Sequence, residues 1–305
     1  MKKLIIPLSI ISISTVFFYT SFAHMKKLGR EDYGEHYPHK NKYGKFHKEN
    51  IEANEVENNE EYFKPSLYSD WYIQLNGDLR REIPADIYDV DLFDTSEKTI
   101  QELKQSGKKV ICYFNAGAYE DWREDADKFN PEDIGNPMDN WEGEYWLNIN
   151  SENVRKIMIE RLQLAKEKGC DGVDPDNVDG YTQNTGFNIS YADQLEYNKF
   201  LSEEAHRLGL SIGLKNDLEQ IKDLVSYFDF AVNEECHQYN ECDLLTPFIQ
   251  SGKPVLNIEY EEKYVNDETE FIKLCEDAHK RGFKTLVMPL DLDGSFVKSC
   301  DYGKW

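Results

Sequence analysis

The sequence predicts an α/β protein of the (β/α)8 TIM-barrel class, in a single domain. From Trp71 onward, short apolar segments of strand length alternate with segments of helical period. Eight such alternations within about 240 residues match this barrel in both count and length. The main rival is an open doubly wound sheet, which usually has a glycine-rich phosphate turn after its first strand. The segment Gln74-Leu75-Asn76-Gly77-Asp78 is not such a turn.

The predicted elements follow from apolar runs, capping residues and glycine stops. The eight predicted strands are Trp71–Leu75, Ile87–Asp91, Lys109–Asn115, Gly172–Asn177, Ser211–Asn216, Phe228–Glu235, Pro254–Tyr260 and Thr285–Asp291. The predicted helices are Ser96–Gln105, Ser151–Lys168, Ala192–Leu208, Asp217–Ser226, Asp243–Gln250 and Glu268–Arg281. Ser190 and Asp193 have the spacing of a capping box just before the third helix.

The N-terminal region predicts export and a tether. Residues 1–23 have the pattern of a signal peptide, with Lys2-Lys3, an apolar core from Leu4 to Phe18, and Ser21-Phe22-Ala23 at the cleavage site. An uncleaved N-terminal anchor is the alternative. Residues 24–65 contain few aliphatic side chains and predict a flexible polar linker. The barrel is then expected over residues 66–305, and the protein is expected to be secreted.

The charge of the chain restricts its partners. The net charge is −23, and residues 1–65 are nearly neutral, so the excess of acid lies in residues 66–305. An acidic domain is unsuited to nucleic acid, whose phosphates require a basic surface. It is compatible with a cationic substrate, although net charge alone is also explained by solubility. No protein partner is implied.

The six cysteines of an expected exported chain predict disulfide bonds. Cys236 and Cys242 are the best candidate pair because only a short loop separates them. Cys275 and Cys300 are placed to join the C-terminal tail to the last helix. Cys112 and Cys170 fall in or beside neighbouring strands, where they are either bonded or simply buried.

Polar residues end all eight predicted strands, and barrel enzymes carry their chemistry at these ends. A metal-dependent hydrolase would need histidine ligands there, but among the three histidines after residue 65 only His237 lies near a strand end. No Gly-x-Ser-x-Gly nucleophile motif is present. Lys215 leaves a Schiff-base mechanism open. We therefore predict neither a metal nor a cofactor.

Two acidic clusters at different strand ends favour glycoside hydrolysis instead. The fourth strand leads into Asp174-Pro175-Asp176-Asn177, and the sixth ends in Asn233-Glu234-Glu235. Cleavage of a glycosidic bond needs one protonated acid near the leaving oxygen and one carboxylate near the anomeric carbon. Several aromatic residues lie where the predicted βα loops could stack on sugar rings, namely Tyr119, Trp122, Trp141, Trp146, Tyr181, Phe187 and Tyr239.

A series of motifs resembles glycoside hydrolase family 114. The motifs are Cys112-Tyr113-Phe114-Asn115-Ala116-Gly117, Glu120, Trp122-Arg123-Glu124-Asp125-Ala126, Trp141-Glu142-Gly143-Glu144, Asp174-Pro175-Asp176-Asn177-Val178-Asp179-Gly180-Tyr181, Gly213-Leu214-Lys215-Asn216 and Asn233-Glu234-Glu235-Cys236. The resemblance is dense over residues 70–262 and looser towards the C-terminus. It implies a (β/α)8 barrel with endo-α-1,4-polygalactosaminidase activity. The implied partner is a cationic or partly N-acetylated amino-sugar polysaccharide.

The resemblance also implies the catalytic residues. Asp176 would be the carboxylate of the fourth strand and Glu234 the acid/base of the sixth. Our own mechanistic hypothesis is retention of configuration, with Asp176 as the nucleophile. The family's usual Glu-Pro-Asp-Asn reads Asp174-Pro175-Asp176-Asn177 here, so Asp174 is one methylene shorter. Substrate binding is assigned to Asp89, Asp91, Asn115, Asp174, Asn177, Tyr181, Lys215, Asn216, Glu235 and Tyr260.

The choice between Glu234 and Glu235 rests on two conflicting signals. If Phe228, Phe230 and Val232 face the helices, strand alternation directs Glu235 into the barrel. The family motif favours Glu234, and we give it more weight because alternation often fails where a strand ends. The alternative to an enzyme is a carbohydrate-binding barrel that has lost turnover or changed specificity, for which the Asp174 departure is the only hint.

Overall fold

The computed structural model describes residues 62–305 and confirms the predicted (β/α)8 barrel. The strands are β1 (Trp71–Gln74), β2 (Ile87–Asp91), β3 (Lys109–Asn115), β4 (Ala118–Glu120), β5 (Ile134–Pro137), β6 (Glu144–Leu147), β7 (Gly172–Asp176), β8 (Ser211–Lys215), β9 (Phe230–Glu234), β10 (Val255–Glu259), β11 (Lys284–Val287), β12 (Lys298–Ser299) and β13 (Gly303–Lys304). The α-helices are α1 (Glu97–Gln105), α2 (Glu152–Lys168), α3 (Tyr191–Arg207), α4 (Ile221–Leu224), α5 (Thr246–Gln250), α6 (Glu262–Asn266) and α7 (Glu268–Arg281). The predicted signal peptide, residues 1–23, and linker residues 24–61 lie outside the described residues.

Eight parallel strands form the barrel wall in the order β1, β2, β3, β7, β8, β9, β10 and β11. In the described residues β1 and β11 share no β-ladder. The Trp71 indole N–H donates to the Lys284 carbonyl oxygen at 2.8 Å, and the Leu75 N–H donates to the Leu292 carbonyl oxygen at 3.0 Å. These bonds join the first strand to the last strand and the turn that follows it.

The predicted strand limits differ from the observed ones by a few residues. The last strand ends at Val287 rather than Asp291, because Pro289 has no N–H to continue a ladder. The long helices begin and end as predicted to within one residue, and the Ser190–Asp193 capping box is present. The predicted helix Asp217–Ser226 is instead a 3₁₀ turn, Leu218–Gln220, followed by the single turn of α4.

Residues 116–151, between β3 and α2, form an excursion that the sequence did not predict. Within it, β4, β6 and β5 pair into a small antiparallel sheet in which Glu120 lies opposite Glu144. The excursion is joined to the end of β7, because the N–H groups of Ala116 and Gly117 both donate to the Asp176 carbonyl oxygen at 2.9 and 3.0 Å. It therefore projects over the carboxyl end of the barrel.

All six cysteines form disulfide bonds. Cys236 pairs with Cys242 and Cys275 with Cys300, as predicted. Cys112 in β3 pairs with Cys170 just before β7, which decides between the two predicted states of these residues. Each bond joins segments around the barrel wall or its C-terminal tail. Within residues 62–305, no helix has both the length and the apolar character needed to cross a bilayer.

The first described residues contact the barrel. The Tyr62 ring stacks on His206 with centroids 5.1 Å apart, and its hydroxyl donates to Asp229 at 3.2 Å. Phe63 packs against the core, and Pro65 is buried. The end of the segment expected to be a linker, residues 62–65, therefore lies on the barrel surface.

Gly117 provides a test of how the excursion is attached. A Cβ atom at this position would lie 1.7 Å from the Asn177 carbonyl oxygen, so alanine would force the two backbones apart. We expect Gly117→Ala to destabilise the fold by about 1–3 kcal/mol. Thermal unfolding of purified protein measures this.

Gly180→Ala is the matched control. Its Cβ would meet the Thr185 methyl group at 3.4 Å, an ordinary contact. We expect the melting temperature of this variant to stay close to that of the wild type. A Gly117→Ala protein that melts with the wild type would show that the close approach to Asn177 is absent.

Candidate active site

A cleft of about 780 Å³ lies at the carboxyl ends of the barrel strands. Asp176, Lys215 and Glu234 line it from the barrel, and the excursion lines one wall with Trp122 and Trp141. The two tryptophan side chains are 52% and 47% exposed, although large aromatic side chains are usually buried. They are suited to stacking against the apolar face of a sugar ring.

Lys215 occupies the centre of the site. It is only 3% exposed, and its Nζ lies 3.3 Å from Asp176 Oδ1, 3.7 Å from Glu234 Oε2 and 3.9 Å from Asp174 Oδ2. Burial alone lowers the pKa of Lys215, but the surrounding carboxylates outweigh it and hold this pKa well above its usual range. The ammonium group therefore stays charged and balances the acids around it.

Asp176 is oriented by β3 and by its own backbone. The Tyr113 hydroxyl donates to Asp176 Oδ2 at 2.8 Å, and the Asn177 N–H donates to Oδ1 at 2.8 Å. Burial and the Asp176 charge raise the pKa of Tyr113 well above its usual range, so this hydroxyl remains a donor. Both oxygens of Asp176 thus accept a hydrogen bond and are held in place.

Glu234 is held in the same way by residues that directly follow β10 and β8. The Tyr260 hydroxyl donates to Glu234 Oε1 at 2.5 Å, and Asn216 Nδ2 donates to Oε2 at 3.2 Å. Glu234 faces Asp176 across Lys215. Glu235 does not line the cleft; its backbone has φ 61° and its N–H donates to the Ile258 carbonyl oxygen.

The orientation of the sixth strand differs from the one that strand alternation suggested. A Cβ on Gly213 would lie 2.5 Å from the Phe230 ring, so Phe230 occupies the same face as Gly213. Because alternate residues share a face, this is also the face of Lys215, which points into the site. Phe230, Val232 and Glu234 therefore face the barrel interior, where the missing side chain of Gly213 makes room for the phenyl ring.

The chain turns sharply directly after each of the three central residues. Asn177, Asn216 and Glu235 have φ values of 59°, 49° and 61°. This left-handed conformation is common for asparagine but unusual for glutamate. These turns end the strands and leave Asp176, Lys215 and Glu234 as the last strand residues facing the cleft.

Two predicted binding residues, Asp89 and Asp174, lie beneath the cleft rather than on its surface. Both are 0% exposed, and none of their four carboxyl oxygens has a hydrogen-bond partner in the described residues. Burial raises the pKa of Asp174 to about 7, against the opposing effect of Lys215. Burial and the Asp174 charge raise the pKa of Asp89 well above its usual range. The shorter Asp174 of the family motif is therefore a buried neighbour of Lys215.

The remaining predicted residues have varied positions. Asp91 lines the cleft but is bound by Arg123, whose guanidinium reaches both carboxyl oxygens at 3.0 and 2.7 Å. Asn177 and Asn216 line the cleft, whereas Asn115 is buried beneath it and accepts a bond from Asn177 Nδ2 at 3.1 Å. Tyr181 does not line the cleft and donates to Glu219.

Sequence reasoning did not assign roles to four residues of the site, namely Tyr113, Arg123, Glu144 and Asp179. Tyr113 could have been found, because it lies two residues before Asn115 on one strand and so shares its face. Arg123 and Glu144 belong to the excursion. The unusual length of residues 116–151 was the feature of the sequence that could have indicated a functional segment there. Burial and Asp176 raise the pKa of Asp179 to about 6.

One group of possible metal ligands lies outside the cleft. The donor atoms of Cys236, His237 and Cys242 fall within 4.8 Å of one another. Both sulfurs are already joined in a disulfide bond, so they are not available as thiolate ligands. These residues do not fit a metal ion, and the prediction that the site needs neither metal nor cofactor stays a prediction.

A (β/α)8 barrel that holds two carboxylates about a cation in an open, aromatic-walled cleft is the arrangement of a barrel glycoside hydrolase. The chain belongs to glycoside-hydrolase family GH114, whose model matches residues 52–304. Both the expected family and the expected enzyme class are thereby confirmed.

Two solved structures are similar over most of the barrel. Ega3 of Aspergillus fumigatus, in complex with galactosamine, is 42% identical with a TM-score of 0.73, and the match covers 78% of this chain and 97% of that one. The glycoside hydrolase domain of PelA from Pseudomonas aeruginosa is 14% identical with a TM-score of 0.57, covering 74% and 96%, and supports the fold alone. A search of curated proteins gives no significant match.

The buried acids generate a prediction about pH and stability. A carboxyl group whose pKa is raised by folding holds its proton to higher pH in the folded state, so the free energy of unfolding falls as pH rises. Asp89→Asn removes one such group and should reduce the fall in melting temperature between pH 5 and pH 8. Each pKa unit corresponds to about 1.4 kcal/mol, or roughly 3–5 °C for a domain of this size.

Glu276→Gln is the matched control for this measurement, because Glu276 is exposed on α7. It should leave the pH dependence of the melting temperature unchanged. An Asp89→Asn protein with the same pH dependence as the wild type would contradict a raised pKa of Asp89 in the folded protein.

Proposed function

We propose that the protein is an exported endo-α-1,4-polygalactosaminidase that cleaves its substrate with retention of configuration. The observation that carries the proposal is the placement of Asp176 and Glu234 on either side of Lys215, facing an acidic cleft. The reaction needs these two carboxyl groups in two different protonation states.

The assignment of roles follows from the contacts of each group. Lys215 Nζ is closer to Asp176 (3.3 Å) than to Glu234 (3.7 Å), which favours the negative charge on Asp176. Asp176 attacks the anomeric carbon while Glu234 gives its proton to the leaving glycosidic oxygen. Glu234 then removes a proton from water, which hydrolyses the glycosyl ester and restores both groups.

The distances to Lys215 limit the separation of the two carboxyl groups. Asp176 Oδ1 and Glu234 Oε2 can be no farther apart than the sum of their distances to Nζ. This upper limit admits the ~5–5.5 Å of retaining enzymes and reaches only the lower end of the ~6.5–9.5 Å range of inverting enzymes. The distances around Lys215 are thus compatible with retention.

The cleft chemistry supports an amino-sugar substrate. Glu144, Asp179 and Asp291 line it and have no basic partner within 4.0 Å in the described residues. A polymer that carries ammonium groups would supply the missing positive charge. The similarity to Ega3, solved with galactosamine, supports galactosamine as the sugar.

Replacing the two central carboxyl groups tests the mechanism. We expect Asp176→Asn and Glu234→Gln each to lower kcat on a de-N-acetylated galactosamine polymer by at least ~10³-fold, because each removes an obligatory group. Release of oligosaccharides, followed by chromatography, is the measurement.

Glu235→Gln is expected to keep most of its activity, because Glu235 lies outside the cleft. Loss of activity in Glu235→Gln but not in Glu234→Gln would reverse the acid/base assignment. If the wild-type protein releases no oligosaccharide, this polymer is not its substrate. That result would favour the alternative of a carbohydrate-binding barrel without turnover.

The stereochemistry of the first product tests retention separately. Early in the reaction, proton NMR should show the α-anomer of the new reducing end, before it equilibrates. Initial appearance of the β-anomer would show inversion by an attacking water molecule.

Export is supported by the three disulfide bonds, which persist in oxidising compartments. We expect protein recovered from the medium of an expressing cell to begin at His24. N-terminal sequencing checks this, and a cell-associated protein that keeps residues 1–23 would instead indicate the uncleaved anchor.

A further inference from the structure

Glu144, the first residue of β6, is a third carboxyl group held at a defined place in the cleft. Its Oε2 accepts a hydrogen bond from Asn115 Nδ2 at 3.3 Å. The orientation of the Asn115 amide is fixed, because its Oδ1 accepts hydrogen bonds from the Ala118 N–H at 2.7 Å and from Asn177 Nδ2 at 3.1 Å. A flip of the amide would break both bonds. Asn115 itself is 0% exposed. A fully buried amide thus fixes Glu144 from below.

The second oxygen of Glu144 has no hydrogen-bond partner in the described residues, and the side chain lines the cleft. The groups that bear on it are Tyr113 from β3, Glu120 from β4, Asp176 from β7 and Arg123 from the turn after β4. Only Arg123 is cationic.

Arg123 is already engaged by three other carboxylates, of which Asp94 is the most distant at 3.4 Å. Its guanidinium makes two bonds to Asp91, at 3.0 and 2.7 Å, and one to Glu120 at 2.8 Å. Lys215 is likewise engaged by its own three acids. In residues 62–305, neither cation lies within 4.0 Å of Glu144, which is a half-buried carboxyl group without a counterion.

Burial and the charges of Glu120 and Asp176 raise the pKa of Glu144 to about 7. A cation from the substrate would reverse this effect by stabilising the carboxylate. An ammonium group has three donors and a full charge, whereas an N-acetyl group is neutral, larger and offers a single weaker donor. The site therefore has a means of distinguishing the two.

We propose that Glu144 binds the ammonium group of a galactosamine unit next to Asp176 and sets the preference for de-N-acetylated over N-acetylated substrate. This inference rests on the proposed function and names the residue that selects the substrate. The selection has a physical basis, because a bound N-acetyl group would leave the carboxylate buried and unpaired.

The test compares two matched galactosamine oligosaccharides, one fully de-N-acetylated and one fully N-acetylated. In Glu144→Gln, kcat/KM for the de-N-acetylated oligosaccharide should fall by about 10–100-fold, mainly through KM, since a charge-assisted contact is lost. The value for the N-acetylated oligosaccharide should stay the same or rise, so the ratio of the two values collapses.

Two further variants keep the result interpretable. Glu144→Asp retains the charge and should retain more of the preference than Glu144→Gln. Glu132→Gln changes an exposed acid of the same excursion outside the cleft and should leave both values unchanged. Circular dichroism and the melting temperature establish that each variant is folded.

The pH dependence gives an independent readout. As pH falls through about 7, Glu144 gains a proton while the substrate amine stays charged, since such amines titrate near ~8. The wild-type KM for the de-N-acetylated oligosaccharide should therefore rise below pH 7, and Glu144→Gln should lose this step.

The outcomes separate this inference from the proposed function. A wild-type protein that cleaves neither oligosaccharide refutes the proposed function and the inference together. A wild type that cleaves the de-N-acetylated oligosaccharide, with an unchanged ratio and pH dependence of KM in Glu144→Gln, refutes only the role of Glu144. A ratio that collapses in Asp179→Asn but not in Glu144→Gln would assign the ammonium contact to Asp179 instead.

Discussion

The buried ammonium group of Lys215 is the interaction on which the active site depends. An unpaired charge inside a barrel is very costly, and three carboxyl groups close together repel one another. Lys215 lies within 4.0 Å of Asp174, Asp176 and Glu234. The ammonium group and these carboxyl groups therefore offset the free-energy cost of burying one another. The ends of β7, β8 and β9 are therefore coupled by charge balance, and none of these residue types is explained by packing alone.

The barrel and the excursion contribute different parts of the site. The barrel strands hold Asp176 and Glu234 on rigid elements, and the hydroxyl groups of Tyr113 in β3 and Tyr260 directly after β10 each donate to one of these carboxyl groups. The excursion supplies the aromatic wall and Glu144, and it is joined to the Asp176 backbone at Gly117. The carboxyl pair around Lys215 and the aromatic wall with Glu144 thus come from different parts of the chain but share one attachment.

Much of this architecture could be predicted, and the failures have physical causes. The eight barrel strands are apolar runs because both faces of a parallel sheet are buried. Strands β4 to β6 of the excursion are only three or four residues long, and β6 alone contains a short apolar run, so no strand pattern was evident over this segment. Glu234, the residue that the motif favours, lines the cleft with Asp176, and its role stays a prediction. Strand alternation gave the other face because the inward position of Phe230 depends on the space left by Gly213 on the neighbouring strand.

The sequence by itself determined the order of strands and helices, the two most readily paired disulfides and the family. These depend on local periodicity, on cysteine spacing and on contiguous motifs. Only the tertiary structure decided that Asp174 is buried beneath the cleft while Asp176 lines it, and that, within residues 62–305, Asp91 has a counterion and Glu144 has none. The role of a carboxyl group depends on its burial and its neighbours, and those neighbours come from strands and loops far apart in the chain.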